Sequence, residues 1–223
     1  MDWKRRAQRA TYLASQVLAR LVGVVFFGIR TSGRDHVPAE GGGLVCANHQ
    51  SYFDPVIVGA TVDRQLTFLA RKSLFRFPPF RWLIEWYNAI PLEREGLSMA
   101  GLKETIRRLK GGELVLIFPE GTRTRDGHLQ PLKNGFCLVA RRAKVPLIPV
   151  GLDGAYQAWP RQSRYPRLSR LGVVVGPMIR PEEFENWSDE QLVDELYQRM
   201  AAAHEEARLF RQAGRGENAE PQA

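Results

Sequence analysis

The sequence predicts a single α/β domain whose largely parallel or mixed sheet is flanked by helices, with an N-terminal amphipathic helix in front of it. From about residue 29 onwards, short apolar runs alternate with helical patterns, which is typical of this fold class. The chain has 223 residues, 44% of them hydrophobic and 25% charged, which is ordinary for one globular domain. We therefore expect residues 1–28 to form the helix, residues 29–212 the domain, and residues 213–223 a disordered polar tail.

Apolar runs and capping signals place the individual elements. Asp54 is a favourable N-cap, and Pro55 suits the first turn of a helix. Ser188 and Gln191 have the spacing of a capping box. Buried strands are predicted at residues 43–48, 66–70, 113–119, 145–152 and 171–176. Helices are predicted from Asp54, over 98–110, over 134–143, and from Ser188 to about residue 212.

The N-terminal segment has the pattern of an amphipathic helix. Four apolar residues recur on one face and four polar or basic residues on another: Leu13, Val17, Leu21 and Val24, and Arg5, Arg9, Gln16 and Arg20. The uninterrupted apolar run, residues 21–29, has nine residues, whereas a membrane-spanning helix needs about 20. We therefore expect the helix to lie in a membrane interface, apolar face down and arginines toward lipid phosphates. A surface helix packed on the core is the alternative.

The composition limits the classes of molecule that the chain could bind but does not select one of them. Lys and Arg number 32 against 24 Asp and Glu, and the net charge of +8 attracts nucleic acid, anionic lipid or phosphorylated substrates. Cys46 and Cys137 lie in apolar stretches without a paired motif, so we expect them to be reduced and buried. The four histidines lack metal-ligand spacing and the glycines at 41–43 lack a phosphate-loop ending, so neither a metal nor another cofactor is expected.

The segment 48–54, NHQSYFD, follows a buried strand and precedes a helix. Its side chains should emerge at the carboxyl end of the strand, where α/β sheets place their ligands. In a compact turn, Asp54 can fold back onto one imidazole nitrogen of His49, which leaves the other nitrogen free to remove a proton. The alternative is that Asp54 is only a helix cap and His49 an ordinary loop histidine.

A second strand ends abruptly in the segment 118–125, FPEGTRTR. Exposed backbone N–H groups and arginine side chains in such a turn suit a phosphate group. A solvated basic turn is the alternative.

The segment 71–87, RKSLFRFPPFRWLIEWY, interleaves cations with aromatic residues, which is typical of bilayer interfaces but also of base-stacking surfaces or an aromatic core.

Together these segments resemble the PlsC family of glycerolipid acyltransferases, the 1-acylglycerol-3-phosphate acyltransferases. NHQSYFD matches the family's N-H-x4-D block, and FPEGTRTR matches its F-P-E-G-T-R block. VPLIPV at 145–150 matches the V-P-[IL]-[IV]-P-V block, and LKNG at 132–135 resembles the F-K-x-G stretch. IPLER at 90–94 stands where the family has an apolar run ending in Asp-Arg or Asn-Arg.

The resemblance, which runs from about residue 30 to residue 180, implies an O-acyltransferase without a cofactor. His49 would be the general base on the acceptor hydroxyl, and Asp54 would orient it. The donor would be a thioester of coenzyme A or acyl carrier protein, and the acceptor 1-acylglycerol-3-phosphate. The protein would bind lipid on the cytoplasmic face of a membrane, as a peripheral or monotopic protein, and would bind no nucleic acid. The residues that would place the acceptor's phosphate and glycerol are Arg71, Lys72, Arg94, Glu120, Gly121, Thr122 and Arg123.

Two departures from the family pattern leave the precise substrate open. Glu93 stands where Asp is usual, and Arg71 stands where many relatives carry Lys, which holds phosphate differently. The same fold could acylate glycerol-3-phosphate or another lysolipid, or act as a hydrolase on water. From a different class, a non-catalytic membrane-surface protein would be indicated by a broken H-x4-D block, which is intact here.

Overall fold

Strands of one sheet organise the computed structural model, which describes residues 2–71, 81, 86–87, 89–92 and 98–216. The described strands are β1 (Arg30–Ser32), β2 (Gly43–Ala47), β3 (Leu66–Arg71), β4 (Ile90–Leu92), β5 (Leu114–Ile117), β6 (Leu147–Asp153) and β7 (Gly172–Val175). They lie in the order β1-β7-β6-β2-β5-β3-β4, and every neighbouring pair is parallel except β6 and β7. The predicted α/β fold with a mixed sheet is therefore confirmed.

Helices cover both faces of this sheet. They are α1 (Asp2–Phe27), α2 (Asp54–Thr61), α3 (Met99–Lys110), α4 (Gly135–Ala143), α5 (Ala155–Ala158) and α6 (Asp189–Gly216). Alternate strand residues point to opposite faces, so Val45 packs with α2 and α5, while Leu44 and Cys46 pack with α3, α4 and α6. Two separate apolar cores result, one on each side of the sheet.

Local signals predicted most boundaries correctly. The Ser188 capping box forms as expected, because Gln191 N donates to Ser188 Oγ at 3.2 Å and Ser188 N donates to Gln191 Oε1 at 2.8 Å. Both cysteines are buried and free, as expected. The edge strands β1 and β4 were not predicted, because three-residue strands carry too little apolar periodicity. The last helix continues through residues 213–216, which the sequence assigned to a disordered tail.

The polar side of α1 docks onto the domain, which corrects one expectation. Gln16 is buried, and its Nε2 donates to the carbonyl oxygens of Gly59 (2.8 Å) and Val62 (2.6 Å). Arg20 Nε donates to a third carbonyl at the same helix end, and its Nη2 contacts Asp63 at 2.6 Å. Arg20 therefore binds the carboxyl end of α2 rather than lipid phosphates, because the carbonyls there lack helical partners.

The opposite side of α1 is apolar and exposed. Its large exposed side chains are Leu13, Val17, Leu18, Leu21, Val22, Val24, Val25 and Phe26. The 22 residues Arg6–Phe27 are long and apolar enough to cross a membrane by length and composition. The nine-residue run at 21–29 therefore underestimated the apolar length of α1. Polar residues such as Gln16 and Arg20 interrupt the apolar sequence, but they lie on the side of the helix that docks onto the domain.

Candidate functional site

The turn from β2 to α2 brings His49 and Asp54 together. Nδ1 of His49 lies 2.7 Å from Oδ2 of Asp54. A carboxylate only accepts hydrogen bonds, so Nδ1 carries the proton and Nε2 is the basic nitrogen. The Asp54 side chain is fully buried, whereas the His49 side chain is 19% exposed. Nε2 makes no hydrogen bond to any residue that the structure describes, and it is thus available to a ligand.

Asp54 also builds the turn that carries His49. Its Oδ2 accepts hydrogen bonds from the backbone N–H of Gln50 (2.6 Å) and Ser51 (2.7 Å). The sequence predicted an N-cap role, which is wrong: α2 begins at Asp54 itself, and its carboxylate turns back toward the preceding loop. Removal from water raises the pKa of the Asp54 carboxyl above its usual value, and the hydrogen bonds from His49, Ser51 and Gln50 oppose that shift.

The loop after β5 wraps around the same histidine. The imidazole of His49 stacks on the ring of Phe118, with centroids 3.9 Å apart and planes 14° from parallel. His49 N donates to Glu120 Oε1 at 2.6 Å, and Thr124 N donates to His49 O at 2.8 Å. The two sequence segments therefore form one site, because the parallel strands β2 and β5 end at the same edge of the sheet.

The Glu120 side chain is buried and bonded to the backbone. Its residue is only 4% exposed, and its two carboxylate oxygens accept the backbone N–H groups of His49 and Gln130, the latter at 3.1 Å. Burial raises the pKa of Glu120 to about 7, and the nearby Asp54 carboxylate adds to the shift. Glu120 thus joins two backbone segments and supports the His49 turn, and its contact with the acceptor stays a prediction.

Arg123 is held flat against an aromatic ring. Its guanidinium carbon lies 3.5 Å from the ring centroid of Tyr52, within cation–π range. Tyr52 in turn packs on Trp159, with centroids 5.1 Å apart. Nη1 of Arg123 is buried without a hydrogen-bond partner among the described residues. This arrangement orients a cation and leaves donor capacity unused beside the His49 turn.

Gly121 and Thr122 complete the loop. Gly121 adopts φ +74°, and a Cβ added there would lie 3.0 Å from the Lys133 side chain, so only glycine fits without strain. Thr122 is exposed. Lys133 belongs to the LKNG segment but was not among the predicted site residues. Its exposed side chain against Gly121 adds a cation to this edge of the site.

Gln50 was also missed by sequence reasoning. It is 1% exposed, and its Nε2 donates to Gly127 O at 2.7 Å while its Oε1 accepts from Tyr156 N at 3.2 Å. Its Nε2 also lies 3.3 Å from Nε2 of His204 on α6. Gln50 thus ties the His49 turn to three other parts of the domain, a role that no local sequence pattern signals.

Several predicted residues cannot be placed by their side chains. Lys72 and Arg94 lie outside the described residues, and Arg71 ends β3 with its side chain outside them. Of the aromatic-basic segment, Trp86 Nε1 donates to Thr11 on α1 at 2.8 Å. Tyr87 also packs on α1, through the ring of Tyr12. In the part of the chain that the structure describes, no three His, Cys, Asp or Glu side chains are grouped as a metal site requires.

The chain is similar in sequence to several known proteins. The profile of the family described as Acyltransferase matches residues 28–153, more than half of the chain. A 1-acyl-sn-glycerol-3-phosphate acyltransferase from Bacillus subtilis (strain 168) is 28% identical over 158 residues, 70% of this chain and 76% of that protein. One of the same name from Streptococcus pneumoniae is 37% identical over 113 residues, covering 50% of this chain and 41% of the relative.

A solved structure has the same fold. The crystal structure of the 1-acyl-sn-glycerophosphate acyltransferase PlsC from Thermotoga maritima matches with a TM-score of 0.80 at 24% identity, over 92% of this chain and 83% of that one. Some curated relatives are longer: the chain spans 48% of the matching protein from Cocos nucifera.

Proposed function

Because this chain belongs to the acyltransferase family and is an O-acyltransferase, we propose that it acylates the free hydroxyl of 1-acylglycerol-3-phosphate to form phosphatidic acid. The observation that carries the proposal is the His49–Asp54 pair at 2.7 Å, with the unpartnered Arg123 donor in the adjoining loop. The pair can activate a hydroxyl, and the arginine can hold a phosphate. The named relatives act on a substrate that has both groups.

In the proposed reaction, His49 is the general base. Its Nε2 takes the proton of the acceptor hydroxyl while Nδ1–H stays bonded to the Asp54 carboxylate, which stabilises the imidazolium. The acceptor oxygen attacks the thioester carbonyl, forming the ester bond as the carbon–sulfur bond breaks. The imidazolium then returns its proton to the departing thiolate, so the histidine is regenerated.

The phosphate of the acceptor is proposed to bind Arg123 and Lys133, with Gly121 and Thr122 forming the loop between them. Charge-assisted bonds to phosphate are stronger than neutral ones, and a guanidinium already stacked on Tyr52 loses little freedom on binding. Arg71, Lys72 and Arg94 are proposed as further acceptor contacts from the sequence resemblance. Glu120 acts by positioning the His49 turn.

The acyl donor is proposed to be a thioester of coenzyme A or of acyl carrier protein. The departing group is a thiol in both cases, so the histidine chemistry is identical. The donor carrier must therefore be settled by supplying each thioester separately.

Membrane attachment through α1 is proposed to deliver the lipid acceptor on the cytoplasmic face. The helix presents an exposed apolar side to the surroundings, and its polar side is bonded to α2 at Gln16 and Arg20. A membrane-spanning orientation would draw the charged end of α2, including Asp63, toward the hydrocarbon core. We therefore propose that α1 lies in the interface, peripheral or monotopic.

The test is product formation by the purified protein. Incubation with 1-acylglycerol-3-phosphate and either acyl thioester should yield phosphatidic acid, resolved by chromatography. The His49→Ala variant should lose roughly 10²–10⁴-fold in rate. The matched control is His36→Ala, since the His36 imidazole bonds the Val175 carbonyl at 2.7 Å, on β7, which β6 separates from β2. Release of free fatty acid alone, or undiminished turnover in His49→Ala, would overturn the proposal.

A further inference from the structure

A short segment between α5 and β7 carries an unusual charge. Residues 159–171, WPRQSRYPRLSRL, contain four arginines and no acidic residue, and we name this segment the arginine loop. Its exposed side chains include Arg161, Arg164 and Arg167. Tyr165 and Leu168, which lie between and after these cations, are 67% and 71% exposed.

Both ends of the arginine loop are attached beside the His49 turn and the end of α1. At its start, the ring of Trp159 packs on Tyr52 and Phe53, with centroids 5.1 and 4.9 Å away. Phe53 in turn contacts Phe27, the last residue of α1, at 5.9 Å. At its end, Leu171 N donates to Phe27 O at 3.1 Å. The loop therefore stands between the site and the helix with the exposed apolar side.

Internal hydrogen bonds give the loop a defined shape. Arg167 N donates to Ala158 O at 2.7 Å and closes its base. Trp159 Nε1 donates to Ser163 O at 3.2 Å, and Ser163 Oγ donates to Tyr165 O at 2.7 Å. Such a compact surface loop exposes its side chains without needing a partner for its backbone. The exposed arginines are thus presented on a fixed scaffold.

The exposed arginines of this loop are not neutralised by acidic neighbours, unlike several arginines elsewhere. On other surfaces, Arg107 pairs with Glu104, Arg141 with Asp189, and Arg199 with Glu195. In contrast, Arg161, Arg164 and Arg167 form no ion pair with any carboxylate in the described parts of the chain, and Arg164 lies over the ring of Tyr165 at 5.5 Å. The loop therefore presents three uncompensated cations interleaved with two exposed apolar side chains.

We propose that the arginine loop is a second membrane contact, which binds the headgroups of anionic phospholipids and inserts Tyr165 and Leu168 among them. Cations beside an aromatic and an aliphatic side chain suit a bilayer interface, where charge and apolar contacts add. The loop adjoins Phe27, where the exposed apolar side of α1 ends, so the two contacts are neighbours beside the His49 turn. The inference rests on the proposed lipid acceptor, which would be drawn from the membrane beneath this turn.

A local fluorescence measurement tests the contact without relying on α1. A polarity-sensitive label is attached to the cysteine of the Leu168→Cys variant. The label should react at that position because the native Cys46 and Cys137 are buried. Vesicles of phosphatidylglycerol should shift the emission to the blue, and vesicles of phosphatidylcholine should do so much less. The matched control is a label at Leu138→Cys, which is 46% exposed on α4 at the other face of the sheet and should not respond.

The charges are tested in the labelled protein by changing Arg161, Arg164 and Arg167 to Gln. The vesicle concentration giving half the emission shift should rise roughly 100-fold, about fivefold for each cation. A control changes Lys103, Lys110 and Arg142 to Gln, which removes the same charge from α3 and α4 and should leave the response nearly intact. Circular dichroism confirms that each variant is folded.

Three outcomes would overturn the proposal: no shift at Leu168 with anionic vesicles, equal shifts at Leu168 and Leu138, or a shift with acyl carrier protein but not with vesicles. The last would identify the loop as a docking surface for an acidic protein. Activity separates this inference from the proposed function. If the function fails, the wild type makes no phosphatidic acid; if only the inference fails, the wild type is active and the triple Gln variant uses vesicle-bound acceptor equally well.

Discussion

Asp54→Asn should separate the catalytic role of this residue from its structural one. The two backbone N–H groups of Gln50 and Ser51 need an acceptor, so the amide oxygen should take the place of Oδ2. The amide NH₂ then occupies the position of Oδ1, which has no partner among the described residues. That position is unsatisfied in the wild type too, so the main cost is that hydrogen bonds to a charged oxygen become weaker bonds to a neutral one. We expect a loss of about 2 kcal/mol, which lowers the Tm of a chain this size by roughly 4–8 °C.

Catalysis should suffer far more than stability. Without the carboxylate, Nδ1–H of His49 loses the charge that stabilises the imidazolium, and kcat should fall roughly 10²–10⁴-fold. Asp54→Ala should be worse folded, because it leaves two backbone N–H groups without an acceptor, costing about 4 kcal/mol and roughly 8–16 °C in Tm. The pair of variants thus distinguishes lost chemistry from lost structure.

The assay combines initial rates of phosphatidic acid formation with calorimetric Tm values. His49→Ala combined with Asp54→Asn should be about as slow as His49→Ala alone, because the two groups act as one unit. Near-normal turnover in Asp54→Asn would refute the reasoning. So would a double variant whose losses multiply, since that would show two independent contributions.

Two further predictions concern the loop after β5. The raised pKa of Glu120 means that the folded protein holds this proton more tightly than the unfolded chain does. Stability from it is fully present below pH 4.5 and is lost as the pH rises through about 7. The free energy of unfolding in urea should therefore fall with pH in the wild type but not in Glu120→Gln. The difference between variant and wild type should move by about 2 kcal/mol in favour of the variant from pH 5 to pH 8. Tyr52→Leu should raise KM for the phosphorylated acceptor roughly tenfold without changing KM for the donor, because Arg123 loses its stacking ring.

Each of these two predictions has a control measurement that could contradict it. A stability difference between wild type and Glu120→Gln that does not change with pH would show that Glu120 does not titrate near 7. Tyr52→Phe keeps the ring beneath Arg123 and should retain the wild-type KM. If Tyr52→Phe and Tyr52→Leu behave alike, or if both substrates are affected equally, the stack does not serve phosphate binding.

The fold class and the location of the site followed from local sequence. The apolar runs at 43–48 and 113–119 predicted strands, and the polar segments after them predicted a site at the strand ends, where His49 and Glu120 lie. Capping signals such as Ser188 with Gln191 are also local, because donor and acceptor are three residues apart. The short edge strands carried too little pattern to be seen.

The partners of individual side chains followed much less well. The sequence predicted that Asp54 could reach His49, with a helix cap as the alternative, but it did not indicate that the same oxygen also accepts from Gln50 N and Ser51 N. Glu120 was predicted to contact the acceptor, and the sequence did not indicate that its carboxylate also bonds the backbone of His49. The helical pattern of α1 was clear, yet the pattern could not say that its polar side would pack inward against α2.

The sequence by itself therefore determined the fold class, the family resemblance and the elements that border the candidate site. Periodicity, caps and motif spacing depend on neighbours a few positions away, so they can be read along the chain. Only the tertiary structure decided that Arg123 lies on Tyr52 and that the arginine loop adjoins the end of α1. Those contacts join residues far apart in sequence, and they arise because the strand order brings the ends of β2, β5 and β6 to one edge of the sheet.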